Sequence, residues 1–345
     1  MTTEVSKQGI SVVVPVKGRV REMRAALACL QVAVRNCPEP AEILVVDDSS
    51  PAEADEHRAH CEQYGARYLR GPFHVGAKRN LGVAHSTYDL LFFTDSDCRV
   101  PPGILQRHVA TLRSAPENEA GVAGPAELET SDTRTFRIMR RSKLLNEDLE
   151  RPEGQETVIW ATTTNLAVRK AAFDQVGGFP SRSLTVVGGE DVDLGIRLSE
   201  AGFTIVCDPK AVVVHDRGST DRLATVCRRL YTYGRGEQWL CTVHPRRRRF
   251  VPNVATIASA AAVAGLATAR RSRGLSLLAA PLLAGAVIGL RARRLRGPDR
   301  TMRATVDSTI CALVDASFDV GGFVASFQLR RPDLVISGFQ PINNK

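Results

Sequence analysis

Acidic side chains recur where apolar runs end. Phe92-Phe93-Thr94-Asp95-Ser96-Asp97 sets two carboxylates two residues apart, directly after a fully apolar run. Carboxylates at the end of a buried strand are costly unless something positive holds them. A divalent ion fits: magnesium takes one or two protein carboxylates and completes its shell with water and phosphate oxygens. Asp-x-Asp also occurs in plain loops and helix caps, so the preceding apolar run favours the metal here. Asp47-Asp48 ends another apolar run. A carboxylate there can meet a nucleotide base or ribose, or cap the next helix from Asp47-Asp48-Ser49-Ser50. In Gly76-Ala77-Lys78-Arg79-Asn80-Leu81-Gly82, backbone N–H groups together with Arg79 and Asn80 suit a phosphate. Ordinary helix-start surface chemistry reads the same way. Gly188-Gly189 lets the backbone approach a ligand closely. Glu190-Asp191, which follows, is a candidate general base, or a pair of acids favoured by a helix N-terminus. His215 is a candidate third metal ligand or substrate contact, although a lone His is more often structural. Asp193 and Arg197, four apart, read as a surface pair.

These residues need elements to place them. Ser11–Val16, Glu42–Val46, Arg67–Leu69 and Leu90–Phe93 are short strand-like runs. Helical spacing separates them, as in Met23, Leu27, Leu30 and Val34. Continuous apolar strands alternating with helices predict an α/β fold with a mostly parallel sheet covered on both faces. Ligands of such sheets sit beyond the carboxyl ends of the strands. Here those ends carry Lys17 to Arg19, Asp47-Asp48 and Asp95 to Asp97. Residues 128–156 are charged and aperiodic, predicting helix plus loop, a candidate flap. Later strands are expected at 122–125, 158–161, 205–206 and 212–214.

Read in order, SVVVPV, ILVVDDSS, GAKRNLGVA, LLFFTDSD, TNLAVRKAAFDQVGGFP and GGEDVDLGIRLSEAGF resemble a family 2 glycosyltransferase with the GT-A (Rossmann-like) fold, over about residues 10–217. The resemblance implies inverting transfer from a nucleotide-activated sugar, usually UDP-linked, with Mg or Mn. It places Pro15, Asp47 and Asp48 around the nucleoside. Val16 and Lys17 beside Pro15, Arg79, Asn80, and Asp95 with Ser96 complete the expected nucleotide-sugar set. Asp97, with Asp95 nearby, falls at the metal and diphosphate, and His215 is kept as a further metal candidate. Asp191 is then the base that deprotonates an acceptor hydroxyl, with Glu190 beside it. Lys17-Gly18 stand where many members have Tyr-Asn. The QxxRW signature of processive synthases is missing, Arg235 to Trp239 being the nearest text, so one or few sugars are expected to be added. A nucleotidyltransferase of similar architecture and a non-catalytic membrane-bound scaffold are the alternatives. Acceptor-facing residues are expected within 128–165 and 215–240, with no readable specificity code.

The net charge of +9 over 345 residues is unevenly spread. Residues 246–303 carry thirteen Arg and one Asp, so the remainder is slightly acidic. That segment holds two apolar stretches of 16 residues, Val254–Ala269 and Leu275–Leu290, with Arg at every end. Sixteen is short of the ~20 a spanning helix needs. The expectation is a catalytic region over 8–240 and a helical, Arg-rich, membrane-associated region over 241–345. Its helices would lie on the cytoplasmic leaflet with Arg against anionic lipid, the alternatives being a helical hairpin packed on the catalytic domain or two short spans; a membrane location would favour a lipid-linked acceptor. Almost no aromatics accompany the arginines, so nucleic acid is not expected as a partner. Eight cysteines show neither CxxC nor zinc spacing. With no signal-peptide pattern in the first sixteen residues, they read as free thiols in the cytoplasm.

Overall fold

The computed structural model describes residues 7–180, 188–216 and 222–341. The expectations for the N-terminal leader and for 215–240 therefore lie partly outside the described residues, at 1–6 and 217–221. The chain divides into two compact units. The first takes its residues from 1–129, 148–183 and 190–216, and the second from 130–147, 184–189 and 217–345.

In chain order the first part contains β1 (Lys7–Val16), α1 (Val20–Arg35), β2 (Ala41–Asp47), α2 (Pro51–Tyr64), β3 (Arg67–Arg70), α3 (Val75–Ala84) and β4 (Tyr88–Phe93). Next come β5 (Cys98–Arg99), α4 (Ile104–Ser114), β6 (Glu119–Ala123), β7 (Ala126–Leu128), α5 (Arg134–Met139) and α6 (Lys143–Glu150). They are followed by β8 (Thr157–Val158), β9 (Leu166–Arg169), α7 (Lys170–Gln175), α8 (Glu190–Glu200), β10 (Thr204–Cys207) and β11 (Val213–His215). The remainder is α9 (Leu223–Val243), β12 (Arg248–Phe250), α10 (Val254–Thr268), α11 (Ala279–Arg296), α12 (Met302–Gln328) and β13 (Ser337–Phe339).

The first unit is built on an eight-stranded sheet of order β3-β2-β1-β4-β9-β6-β10-β8. β3, β2, β1 and β4 run parallel, as do β6 and β10. Their Val, Ile, Leu and Phe side chains are buried on both faces. Val12, Val14, Ile43, Val45 and Phe92 face α1 and α4 in one core. Val13, Leu44, Leu91 and Phe93 face α3, α7 and α8 in the other. A period-2 apolar strand with no polar face is the signature of such a covered sheet. β9 was not foreseen. It enters between β4 and β6 and is antiparallel to both. A smaller sheet, β5-β11-β7, forms beyond the end of β4.

Residues 128–156 are helix plus loop, as expected: Thr133 caps α5 by accepting from Phe136 N–H at 3.2 Å. Phe136, Ile138, Met139 and Leu145 are buried, and 130–147 belongs to the second unit. Asp193 and Arg197 are not a surface pair. Asp193 is buried, and Arg197 bonds it at 2.9 Å while donating to the Val176 and Gly178 carbonyls, the latter at 2.6 Å. The pair anchors the turn before Phe179.

In the second unit α9 and α12 lie against each other at glycines. A Cβ on Gly234 would stand 1.9 Å from the Phe318 carbonyl oxygen, and one on Gly321 would stand 2.0 Å from that of Tyr231. Only glycine permits that approach. This packing explains why the units do not part at residue 240: α9 is held by the C-terminal helix. The second apolar stretch is longer than the sequence suggests, because the helix continues through the arginines to Arg296. Leu275–Arg296 and Met302–Gln328 are long and apolar enough to cross a membrane by length and composition. They differ in burial. Half of the apolar window in α12 is buried, against 6% for Leu275–Arg296.

Candidate functional site

The site lies in the first unit, beyond the carboxyl end of β4. The run Leu90–Phe93 is buried and hydrogen-bonds to β1 and β9. The chain leaves the sheet at Thr94, and Asp95 and Asp97 follow. Cys98 then pairs with His215 across the antiparallel β5–β11 ladder, and Asp216 N–H donates to the Asp97 carbonyl at 2.8 Å. That ladder brings a histidine 118 positions later in the chain beside the aspartates. His215 Nε2 stands 3.7 Å from Asp97 Oδ1. One ligand atom each from Asp95, Asp97, Cys98 and His215 fall within 4.8 Å of one another.

This set fits a hard divalent cation. Asp97 is 6% exposed and its Oδ1 has no hydrogen-bond partner; its other oxygen accepts from Arg19. Arg19, in the left-handed region at φ 58°, stands at the N-cap position of α1 without a side-chain capping bond. Two carboxylates and an imidazole suit Mg or Mn. Cys98 was not foreseen as a neighbour; burial drives its thiol above the usual range, and sulfur is in any case a soft donor that suits Mg or Mn poorly.

Arg79 connects this cluster to the Glu190-Asp191 pair. The guanidinium donates from Nη2 to Asp95 at 3.0 Å and from Nη1 to Glu190 at 3.0 Å. Its side chain is 4% exposed and lies over the Phe179 ring at 5.5 Å. Burial pushes the Asp95 carboxyl up, but Arg79, His215, the Thr164 hydroxyl (3.1 Å) and Arg19 outweigh it and hold the group below its usual range. Asp191 goes the other way. Burial and the neighbouring Glu190 charge raise it to about 7, opposed by Arg79 and by Val192 N–H, which donates to it at 2.9 Å. The two carboxylates are thus pushed apart, one fixed as an anion and one poised to exchange a proton near neutrality, a separation found where acid–base work is done.

The remaining expected residues surround the ends of β1 and β2. Asp47 is fully buried and accepts from Ser49 N–H (2.8 Å), the Ser49 hydroxyl, the Tyr68 hydroxyl (2.8 Å) and Arg70 (3.4 Å). Asp48 pairs with Lys78 and with Lys17 at 3.3 Å. Neither caps α2; Ser50 and Glu53 form its capping box. Lys78 Nζ also donates to the Val16 carbonyl at 2.9 Å. Lys17 lies 4.2 Å over the exposed Phe73 ring. Pro15 and Val16 stand in register with Val46 and Asp47. Ser96 is buried between the aspartates. Asn80 uses both ends of its amide on the Phe179 backbone, at 2.7 and 2.9 Å, and so orders the turn that supports Arg79. Thr164 was not singled out from sequence, and Arg19 was named only as part of a polar strand end. Their only sequence signal is polarity beside a strand end.

Comparison with known proteins gives a consistent picture. Residues 11–177 match the family described as Glycosyl transferase family 2. The pre-mycofactocin glycosyltransferase of Mycobacterium tuberculosis is 30% identical over 251 residues, covering 70% of this chain and 49% of the relative. The chain thus spans about half the length of that relative. An N-acetylglucosaminyl-diphospho-decaprenol L-rhamnosyltransferase from the same organism is 46% identical over 77 residues, 22% of this chain and 23% of that one. Among solved structures, the mannosyltransferase PcManGT from Pyrobaculum calidifontis, in complex with GDP-Man and Mn2+, superposes with a TM-score of 0.51 at 17% identity. It covers 90% of this chain and 91% of that one. At that identity the likeness speaks for the fold, which is GT-A.

Proposed function

From the membership of this chain in glycosyl transferase family 2, carried by residues 11–177, we propose that it moves a sugar from a nucleoside-diphosphate donor to an acceptor hydroxyl with inversion. One observation carries this reading: a single buried guanidinium, Arg79, bonds both Asp95 and Glu190. It ties Asp95 of the cation-binding set to Glu190, the chain neighbour of the candidate base Asp191.

Asp95, Asp97 and His215 would hold Mg or Mn, which supplies positive charge to the departing diphosphate. Lys17 and Lys78, gathered at Asp48, offer cationic and N–H groups near the ends of β1 and β2, where nucleotides sit in such sheets. Asp191 takes the acceptor proton. Its raised pKa makes it a competent base near neutral pH without being fully charged at rest. Holding donor and acceptor in one orientation contributes the rest of the acceleration. A uridine donor follows the sequence resemblance; the superposed mannosyltransferase is in complex with GDP-Man, so a guanosine donor belongs in the same screen.

A cytoplasmic, membrane-surface location fits the second unit. α10 has 15 residues, a rise of about 22 Å, short of the ~30 Å hydrocarbon core. Val263, Leu266, Leu275, Leu282 and Leu290 are 59–71% exposed, with Arg270, Arg271 and Arg273 between the two helices. A lipid-linked acceptor would suit that placement.

Hydrolysis of UDP- and GDP-sugars by the purified chain, compared with Asp191→Asn, tests the reading. The variant should lose turnover and keep nucleotide binding. A variant as active as the parent, or a parent inert toward every donor, would overturn it.

A further inference from the structure

The second unit contains a cavity of about 560 Å³ between the start of α6 and the helices α9, α11 and α12. Three acids line it, and each has a protein partner. Glu237 accepts from Phe339 N–H at 2.8 Å, Asp315 from the Ser142 hydroxyl at 2.6 Å, and Asp319 from Val254 N–H at 3.1 Å and Arg291 at 2.8 Å. Burial, with Asp319 nearby, raises Glu237 to about 7, which weakens its charge near neutrality. Besides Arg291, three cations line the same cavity: Arg141, Lys143 and Arg294. None of them forms an ion pair with a carboxylate among the described residues. Counting Arg291, four cations face three acids, an excess of one positive charge even with every acid ionised.

Two buried polar atoms on its lining residues are also unmatched: Gln238 Oε1 and Arg291 Nη1. Gln238 is 1% exposed, and its Nε2 is committed to the Ser337 carbonyl at 2.9 Å. That commitment fixes the amide orientation, so Oε1 requires a donor. Arg291 Nη2 is committed to Asp319, so Nη1 requires an acceptor. Leaving such atoms unpaired is unfavourable. A ligand that answers the excess of cations is anionic and rich in acceptors. A phosphate monoester has these properties, its oxygens matching guanidinium groups well. Leu144, Val251, Leu295 and Phe318 form the apolar part of the same wall, which suits a hydrocarbon substituent.

We propose that this cavity is a binding site for a phosphoryl group, independent of the cation site in the first unit. It does not rest on the transferase reading, because binding alone defines it.

The test is calorimetry on the full chain in detergent micelles with inorganic phosphate, farnesyl phosphate and farnesol as probes. Binding of farnesyl phosphate, inorganic phosphate or both is expected, with none for farnesol. At least tenfold tighter binding of farnesyl phosphate assigns the site to a lipid phosphate; equal affinity assigns it to a soluble one. Arg141→Gln/Lys143→Gln/Arg294→Gln should weaken either by tenfold or more while nucleotide binding is unchanged. Arg294→Gln alone, at an exposed position, should show a smaller loss in the same direction. Failure of both phosphate probes to bind, or equal binding by the triple variant, would overturn the proposal.

Discussion

Arg79 and Glu190 are 111 positions apart in the chain and 3.0 Å apart in space, and the same guanidinium reaches Asp95 at 3.0 Å. The pair makes two distant motifs into one rigid frame. Replacing Arg79 with Gln should strand two buried or half-buried carboxylates. Breaking such a pair costs about 3–5 kcal/mol, measurable as a lower urea midpoint. Arg79→Lys should recover part of the stability, since it restores charge but not the fork, and should leave turnover down by more than tenfold. Unchanged turnover in Arg79→Lys would remove Arg79 from the frame.

Asp191 gives a pH dependence of defined sign. Its carboxyl is raised to about 7 in the fold from an ordinary value of 3.8. Between those values the folded chain binds more protons than the unfolded one, so this group's contribution to stability falls as pH rises through that window. Turnover requires the deprotonated form and should rise over the same window, with a midpoint near 7. Asp191→Asn should flatten the stability profile from pH 4 to 7 relative to the parent. A rate independent of pH between 5.5 and 8.5 contradicts the assignment.

The cation site predicts a hierarchy among neighbouring side chains. Asp97→Asn should raise the concentration of Mn needed for half-maximal binding at least tenfold, read by paramagnetic relaxation of water. His215→Ala should have a smaller effect in the same direction. Cys98→Ala should change it little, because sulfur is a soft donor that suits Mg or Mn poorly. A large effect at Cys98 would mean that the ligand set is wrong.

Glycines in the second unit separate packing from propensity. Gly234→Ala places a methyl group against the Phe318 carbonyl and should destabilise by about 1–3 kcal/mol or more. Gly285, in α11, has nothing within 4 Å of an added Cβ. Gly285→Ala should be neutral or stabilising by up to ~1 kcal/mol. Thermal melting of the two variants reads both signs.

Vesicle flotation checks the exposed face of α10 and α11. Binding to phosphatidylglycerol vesicles should exceed binding to phosphatidylcholine vesicles and weaken with salt, since arginine attraction to anionic lipid is screened. Leu282→Glu/Leu290→Glu should abolish it. Equal flotation of the parent in both lipids, unaffected by salt, argues for insertion across the bilayer.

Much of the catalytic half was readable before any coordinates. Continuous apolar runs such as Leu90–Phe93 can only be strands covered on both faces, and the acids after them must then lie at one sheet edge. Period and polarity are local properties, so the sequence determined the α/β class, the strand ends and the placement of Asp95 and Asp97 near an edge, while Glu190-Asp191 was placed only at a helix start after two glycines. Long-range pairing is different, because it depends on which distant segments share a ladder or an ion. Only the tertiary structure inserted β9 antiparallel to β4, set His215 opposite Cys98, sealed Asp47 among Ser49 and Tyr68, and gave Arg79 its two carboxylates. It also decided the fate of Met302–Gln328. Asp307, Asp315 and Asp319 interrupt that run in the sequence, yet they share one buried helix face, and glycines at 234 and 321 let the helix close on its neighbour. A one-dimensional pattern records what each residue prefers; the energy of two segments meeting is written in neither one alone.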